Sequence, residues 1–143
     1  MTGGVIYPTK KEILEELYVP TQEMFLAVRK WKHLFYNGKW ATTSNVEKSE
    51  RLYGLICAIC DVVNTEHPQW ISTTNDWGYD PVLKAVYVDS TNPSVLSALY
   101  ELGRHILGES ELQVSRFSVG VFAKCFPTRY EKLVWEDNMP VHE

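Results

Sequence analysis

Two apolar stripes at helical spacing constrain the fold of this 143-residue chain more than any other feature. Within each stripe, apolar side chains recur three and four residues apart, which places them on one face of an α-helix. The stripes consist of Leu52, Leu55, Ile56, Ile59 and Val63, and of Val114, Phe117, Ser118, Val121, Phe122 and Cys125. A serine with Glu or Gln three residues later precedes each stripe, as in a capping box. The sequence therefore predicts long helices over 44–64 and 110–125.

Helix-start and helix-stop signals predict four further helices. Thr9 with Glu12 and Thr128 with Glu131 form capping boxes, and Gly108 follows an apolar helical face that it is expected to end. These helices are expected over 9–17, 21–35, 92–108 and from 128 onward.

The middle of the chain carries the strand signals. Residues 66–81 are rich in Pro, Asn, Asp, Thr and Gly, which is typical of a loop, here with a short strand at 70–73. The β-branched run 82–88 predicts a second strand. The expected fold is α+β, a mainly helical single domain over 1–143 with a small β-sheet. Its segments are N-terminal helices (1–65), a strand with two helices (66–127) and a C-terminal segment (128–143).

Charge and hydropathy limit the classes of function. The net charge of -4 gives no global reason to bind nucleic acid. Neither a signal-peptide pattern at the start nor an apolar run of about 18 residues is present, so we expect a cytoplasmic protein without a membrane partner. Cys57 and Cys60 have CxxC spacing, but their apolar flanks favour buried, reduced thiols over a metal site or a redox pair. We expect no metal and no cofactor.

The segment with the most chemical information reads Tyr100-Glu101-Leu102-Gly103-Arg104. In an HExxH zinc site, two histidines one helical turn apart bind the ion, and the glutamate between them acts as general base. A later helix commonly supplies the third ligand.

This segment and its surroundings resemble the ImmA/IrrE-like zincin peptidases. Their pattern is an apolar strand, a helix reading HELGH, and a second helix of the type E-x-E-A-N-x-F-A-x-x-L-L that ends near a proline. The matching segments are 85–89, 100–104 and 111–118, followed by Val121, Phe122 and Pro127. The resemblance covers about the final 60 residues and implies a zincin-like fold, with Glu111 or Gln113 in the region of the third ligand.

The departures from that pattern imply a non-catalytic protein. Tyr100 and Arg104 replace both histidine ligands, and arginine cannot give up a proton to coordinate a metal. We hypothesise that Arg104 supplies the missing positive charge by pairing with Glu101, three residues away, with Glu111 joining them. His105 is no substitute ligand, because it lies about 100° further around the helix. The alternative is an ordinary amphipathic helix on which Glu101 and Arg104 are solvated.

A stretch of bases interleaved with aromatic residues, 29–40, is a second candidate for function. Such a stretch holds phosphates and stacks on bases, or anchors a protein interface, although charged helix faces are usually only solvated. On a helix, Ala27, Trp31, Leu34 and Phe35 can face the core. The candidate binding surface comprises Arg29, Lys30, Trp31, Lys32, Lys39 and Trp40, with Trp77 in a predicted exposed loop at 77–80.

The sequence thus favours a binding or regulatory protein, and the family resemblance implies a phage-type regulator that modulates a host protein. The family it resembles acts on repressors, so host transcription machinery is the first expectation for the protein partner. One alternative is a hydrolase, either an atypical metal enzyme that uses Glu101, His105 and Glu111 or a metal-independent one that uses a carboxylate. Another is a nucleic-acid-binding protein that uses 29–40.

Overall fold

Side-chain caps set the limits of the longer helices. The computed structural model describes residues 7–136 and 138–141, and the other positions of the predicted segments 1–65 and 128–143 lie outside the described residues. The helices are α1 (Lys10–Glu15), α2 (Gln22–Phe35), α3 (Asn45–Val62), α4 (Val95–Leu107), α5 (Glu111–Cys125) and α6 (Pro127–Glu131). The residue before each of α1 to α5 accepts a hydrogen bond from the amide three residues later. The predicted helices up to residue 125 are confirmed within three residues at each end, the largest difference being the start of α4 at Val95 instead of 92.

The chain after α5 departs from its prediction. The α6 helix begins at Pro127 without a side-chain cap, so the predicted capping box of Thr128 and Glu131 is wrong. Proline fits the first helical turn, which places Thr128 inside the helix. Strands β4 (Val134–Glu136) and β5 (Met139–Val141) then form an antiparallel hairpin that was not predicted, because three residues are too few to show an alternating pattern.

A three-stranded mixed sheet lies between α3 and α4 in the sequence. It contains β1 (Gln69–Thr73), β2 (Gly78–Asp80) and β3 (Ala85–Asp89) in the order β1-β3-β2. β1 is parallel to β3, and β2 is antiparallel to it. The strand predicted at 70–73 is confirmed. The exposed loop predicted at 77–80 is wrong, because 78–80 form an edge strand whose residues are half-buried.

The predicted strand at 82–88 is shorter at its start than expected. Asp80 Oδ1 accepts hydrogen bonds from the amides of Val82 and Leu83, and Lys84 has a φ of 51°. These features make 81–84 a turn, so β3 begins only at Ala85.

The hydrophobic core lies between α2, α3, α4 and α5. Its fully buried large side chains include Met24, Val28, Leu52, Leu55, Ile56, Ile59, Leu99, Leu102 and Phe122. The prediction that Trp31 and Leu34 face the core from α2 is confirmed for Trp31 and wrong for Leu34, which is 49% exposed. The Trp31 indole donates to the Arg51 carbonyl (2.8 Å), which ties α2 to α3.

The elements form one compact α+β domain, as predicted. Among the described residues, no helix has both the length and the hydropathy needed to cross a bilayer.

Candidate functional site

The motif residues lie in the middle of α4. Ser94 caps the start of this helix, and Gly108, with a φ of 86°, ends it in a conformation that favours glycine. Tyr100 and Arg104 are one helical turn apart and therefore share a face. The order β3, α4, glycine turn, α5 is the order that the sequence predicted.

The α5 helix brings Glu111 against this face. Ser110 caps α5, and Glu111 occupies its first turn, where a carboxylate is stabilised by the helix dipole. Gly103 allows close packing of the two helices: a Cβ there would lie 3.1 Å from Val114 Cγ1 and 3.2 Å from Phe117 Cδ2. The short connection and this contact place Glu111 beside α4.

Arg104 is the centre of a charged network. Its Nη2 donates to Glu111 Oε1 and to the Tyr100 hydroxyl (3.2 Å), and its Nε lies 3.5 Å from Glu101 Oε1. The Tyr100 hydroxyl donates to Glu111 Oε2. Burial and this bond raise the pKa of Tyr100, which keeps the phenol protonated as a donor. The ion pairs hypothesised for Arg104 are present.

Glu101 is the most deeply buried charged residue of this network. The residue is 5% exposed, so the alternative in which it is solvated is wrong. Its Oε1 makes no hydrogen bond with the residues that the structure describes, because the contact with Arg104 Nε has the distance of an ion pair without hydrogen-bond geometry. Burial raises the pKa of this carboxyl to about 7, although Arg104 opposes the shift, and Glu111 adds to it.

The charges of the network do not balance. When Glu101 and Glu111 are both ionised, Arg104 compensates only one of them, and it is the only cation among the described residues that shifts the pKa of Glu101. A buried carboxylate without full compensation is costly, so Glu101 either binds a proton or attracts a second cation.

A small cavity adjoins Glu101 and is called the Glu101 cavity below. Its volume is about 150 Å³. It is lined by Trp77, Leu96, Ser97, Tyr100, Glu101, Ser115, Ser118, Val119, Met139 and Pro140. This cavity was not predicted, because its walls come from α4, α5, the segment before β2 and the C-terminal hairpin, which only the tertiary fold brings together.

His105 belongs to a different set of contacts. Its Nε2 donates to the Glu66 carbonyl (2.7 Å), and its Nδ1 accepts from the Tyr79 hydroxyl (2.7 Å). Both ring nitrogens are thus occupied on the side of α4 that faces the sheet, and the sequence-based rejection of His105 as a substitute ligand agrees with these contacts.

The residues at the motif do not fit a zinc ion of the HExxH type. The two ligand positions carry Tyr100, whose pKa is raised, and Arg104, whose guanidinium stays protonated. Among the residues that the structure describes, no group of three or more His, Cys, Asp or Glu side chains is arranged to hold a metal.

The candidate surface at 29–40 divides into exposed and buried residues. Arg29, Lys30 and Lys39 are exposed, and Lys32 is half-buried. Trp31 and Trp40 are 4% and 6% exposed, so their assignment to a binding surface is wrong. They pack against each other with ring centroids 5.7 Å apart. Trp77, also half-buried, donates from its indole to the Asn92 carbonyl and lines the Glu101 cavity.

A basic groove lies between the end of α2 and the start of α6. It encloses about 500 Å³, and its charged lining residues are Lys32, Lys39, Arg129 and Lys132. Lys32 Nζ donates to the Cys125 carbonyl at the end of α5 (2.5 Å), and Lys39 Nζ to the Leu34 carbonyl near the end of α2 (3.0 Å). No carboxylate in the described part of the chain pairs with these four cations. The sequence-based surface lacked Arg129 and Lys132, which are close to Lys39 only in the fold.

The CxxC cysteines lie on α3 as free thiols. Cys60 is fully buried, as predicted, and burial raises its pKa to about 12, whereas Cys57 is half-buried. A thiol with such a pKa is neutral near pH 7 and a poor nucleophile or ligand.

No family model, curated protein or solved structure matches this chain in the comparisons. The resemblance to zincin peptidases therefore depends on the residue pattern at 85–127.

Proposed function

We propose that this protein is a non-catalytic, zincin-like binding protein in which Arg104 takes the place of a catalytic metal. The observation that carries the proposal is the pairing of Arg104 with both Glu101 and Glu111. A guanidinium supplies positive charge but has no open coordination position for water, so it cannot generate a metal-bound nucleophile. Glu101 then has no activated water from which to take a proton.

Purified protein is expected to contain no stoichiometric zinc and to show no peptidase activity that depends on Glu101. The measurements are elemental analysis and hydrolysis of a mixed peptide library by the wild type and by Glu101→Ala. Zinc at one equivalent, together with hydrolysis that Glu101→Ala abolishes, would favour the alternative of an atypical metal hydrolase. Metal-free hydrolysis that depends on Glu101 would favour a carboxylate-dependent enzyme.

The basic groove supports a protein partner with an acidic contact segment. Its four cations have no described ion-pair partner on a chain whose net charge is -4, so they form a local positive surface on an acidic protein. Complementary charge of this kind steers association and selects the partner.

The groove favours an acidic protein over nucleic acid as the partner. Single-stranded nucleic acid is usually held by aromatic rings that stack on bases, together with cations that contact phosphates. The rings nearest the groove, those of Tyr36, Trp40 and Phe126, are all buried. They are not available as stacking platforms.

Charge reversal in the groove is expected to abolish partner capture. Arg129→Glu combined with Lys132→Glu should lose a protein that the wild type retains from an extract of its source organism. The matched control, Lys11→Glu with Lys124→Glu, changes exposed lysines outside the groove by the same total charge and should retain that protein.

The outcome of the capture experiment distinguishes the classes of partner. Loss of the protein with both double variants would contradict a specific role for the groove. Capture of nucleic acid instead, with affinity that falls steeply with salt, would favour the nucleic-acid alternative.

By analogy with the family it resembles, we place the protein in the cytoplasm as a phage-type regulator of a host protein, with transcription machinery as the first partner to examine. This part of the proposal depends on the family resemblance at 85–127. The groove and the charged network support a binding protein independently of it.

A further inference from the structure

The Glu101 cavity has the composition of a small ligand site. Its walls are mainly apolar, with Leu96, Val119, Met139 and Pro140 among them. A few polar residues line the same space: Ser97, Tyr100, Glu101, Ser115 and Ser118. Apolar walls with a small number of convergent polar groups are typical of pockets that bind small molecules.

One carboxylate oxygen of Glu101, a residue that lines this cavity, lacks a hydrogen-bond partner. Glu101 Oε1 is inaccessible to solvent in a residue that is 5% exposed, and it makes no hydrogen bond with the described part of the chain. Most buried polar atoms in proteins are hydrogen-bonded, so such an atom indicates a proton, a water or a ligand that is still to be added. Because Glu101 lines the cavity, we expect a donor bound there to approach its carboxyl group.

The net charge of the network beside the cavity favours a cationic donor. The network of Glu101, Glu111 and Arg104 carries one uncompensated negative charge when both carboxylates are ionised. None of the described residues that line the cavity is a lysine or an arginine. A cationic donor would therefore balance the network and satisfy Oε1 at once.

The volume of the cavity and the residues that line it favour an organic cation over a metal ion. A cavity of about 150 Å³ accommodates a molecule roughly the size of benzene. The half-buried Trp77 ring offers an aromatic surface, which attracts ammonium groups. A hard metal ion prefers six or more oxygen ligands, whereas this cavity offers one carboxylate with a few hydroxyls.

We propose that the Glu101 cavity binds a primary ammonium group at the end of a short aliphatic chain, and that this group donates a hydrogen bond to Glu101. The aliphatic part packs between Leu96, Val119 and Met139. The inference rests on the proposed function that Arg104 replaces a catalytic metal. A metal ion at the motif would itself supply the positive charge that the ammonium group supplies to Glu101.

The probe is n-butylammonium, and the readout is the indole N–H signal of Trp77 in ¹⁵N-labelled protein, assigned with Trp77→Phe. We expect a saturable shift of this signal with n-butylammonium and none with n-butanol at equal concentration. Glu101→Gln should weaken binding about tenfold or more, because it removes a charge-assisted hydrogen bond. Glu109→Gln, the same change at an exposed position between α4 and α5, should leave binding unchanged.

Two further probes distinguish the sources of the ammonium group. Nα-acetyl-lysine amide presents a lysine side chain, and dialanine presents a peptide N-terminus. Saturable binding of either one supports the inference and names the source.

Three results would overturn the inference. They are equal binding of n-butanol and n-butylammonium, unchanged affinity in Glu101→Gln, and no shift with any ammonium probe. If any one of these results is obtained with protein that has no zinc and no hydrolytic activity, the proposed function still stands. Zinc with Glu101-dependent hydrolysis would instead remove the proposed function itself.

Discussion

Replacing Gly120 with alanine is expected to destabilise the protein by about 3 kcal/mol, although alanine is the better helix former. A Cβ at this position in α5 would lie 2.1 Å from the Tyr18 carbonyl oxygen and 2.8 Å from the Tyr18 amide nitrogen. These are backbone atoms, and the Tyr18 amide is held by a hydrogen bond to the Arg116 carbonyl (3.1 Å). The 18–20 segment must therefore move away from α5 to accommodate one methyl group.

Urea unfolding followed by circular dichroism measures this effect. Gly54→Ala is the matched control, because Gly54 also lies inside a helix, and a Cβ there would meet nothing within 4 Å. That variant is expected to gain roughly 0.5–1 kcal/mol from helix propensity alone. If Gly120→Ala gains a similar amount, the close contact between Tyr18 and α5 is wrong.

Replacing Glu101 with glutamine is expected to remove a pH dependence of stability. The pKa of Glu101 rises from its ordinary value of 4.5 to about 7 on folding, so the folded state binds its proton more tightly than the unfolded state. The wild type should therefore lose stability as the pH rises from about 4.5 to 7. The loss amounts to about 3 kcal/mol at most.

The difference in unfolding free energy between the wild type and Glu101→Gln, measured from pH 4.5 to 8.5, isolates this contribution from those of other groups. We expect the variant to be the more stable protein at the alkaline end. Glu109→Gln, an exposed carboxyl in the same region, should follow the wild type at every pH. Parallel curves for Glu101→Gln and the wild type would show that Glu101 titrates normally.

Local signals made the helices predictable. Thr9, Thr21, Ser44 and Ser110 each cap the helix that follows them, through bonds to a residue only three positions away. The ion pair of Arg104 with Glu101 was predictable for the same reason, since helical spacing alone brings the two side chains together.

Long-range packing accounts for the features that the sequence did not predict. Trp40 directly follows the turn dipeptide at 37–38 and Lys39 in the sequence but is buried against Trp31 and Tyr36. The β2 strand exists because β3 provides an edge for it, and its three residues carry no pattern of their own. The raised pKa of Glu101 likewise depends on burial contributed by distant segments, which helical spacing does not reveal.

The charged network and the Glu101 cavity differ in the length of chain between the residues that form them. Only about ten residues separate Tyr100 from Glu111 along the chain, so little conformational entropy is lost when their side chains are brought together. The cavity, in contrast, requires Trp77 and Met139, which are separated by most of the second half of the chain. Local opening of the C-terminal hairpin would remove one wall of the cavity while leaving the contacts among Tyr100, Arg104 and Glu111 in place. Opening of this hairpin is therefore expected to uncover the Glu101 cavity without breaking the described contacts of Arg104 with Glu101 and Glu111.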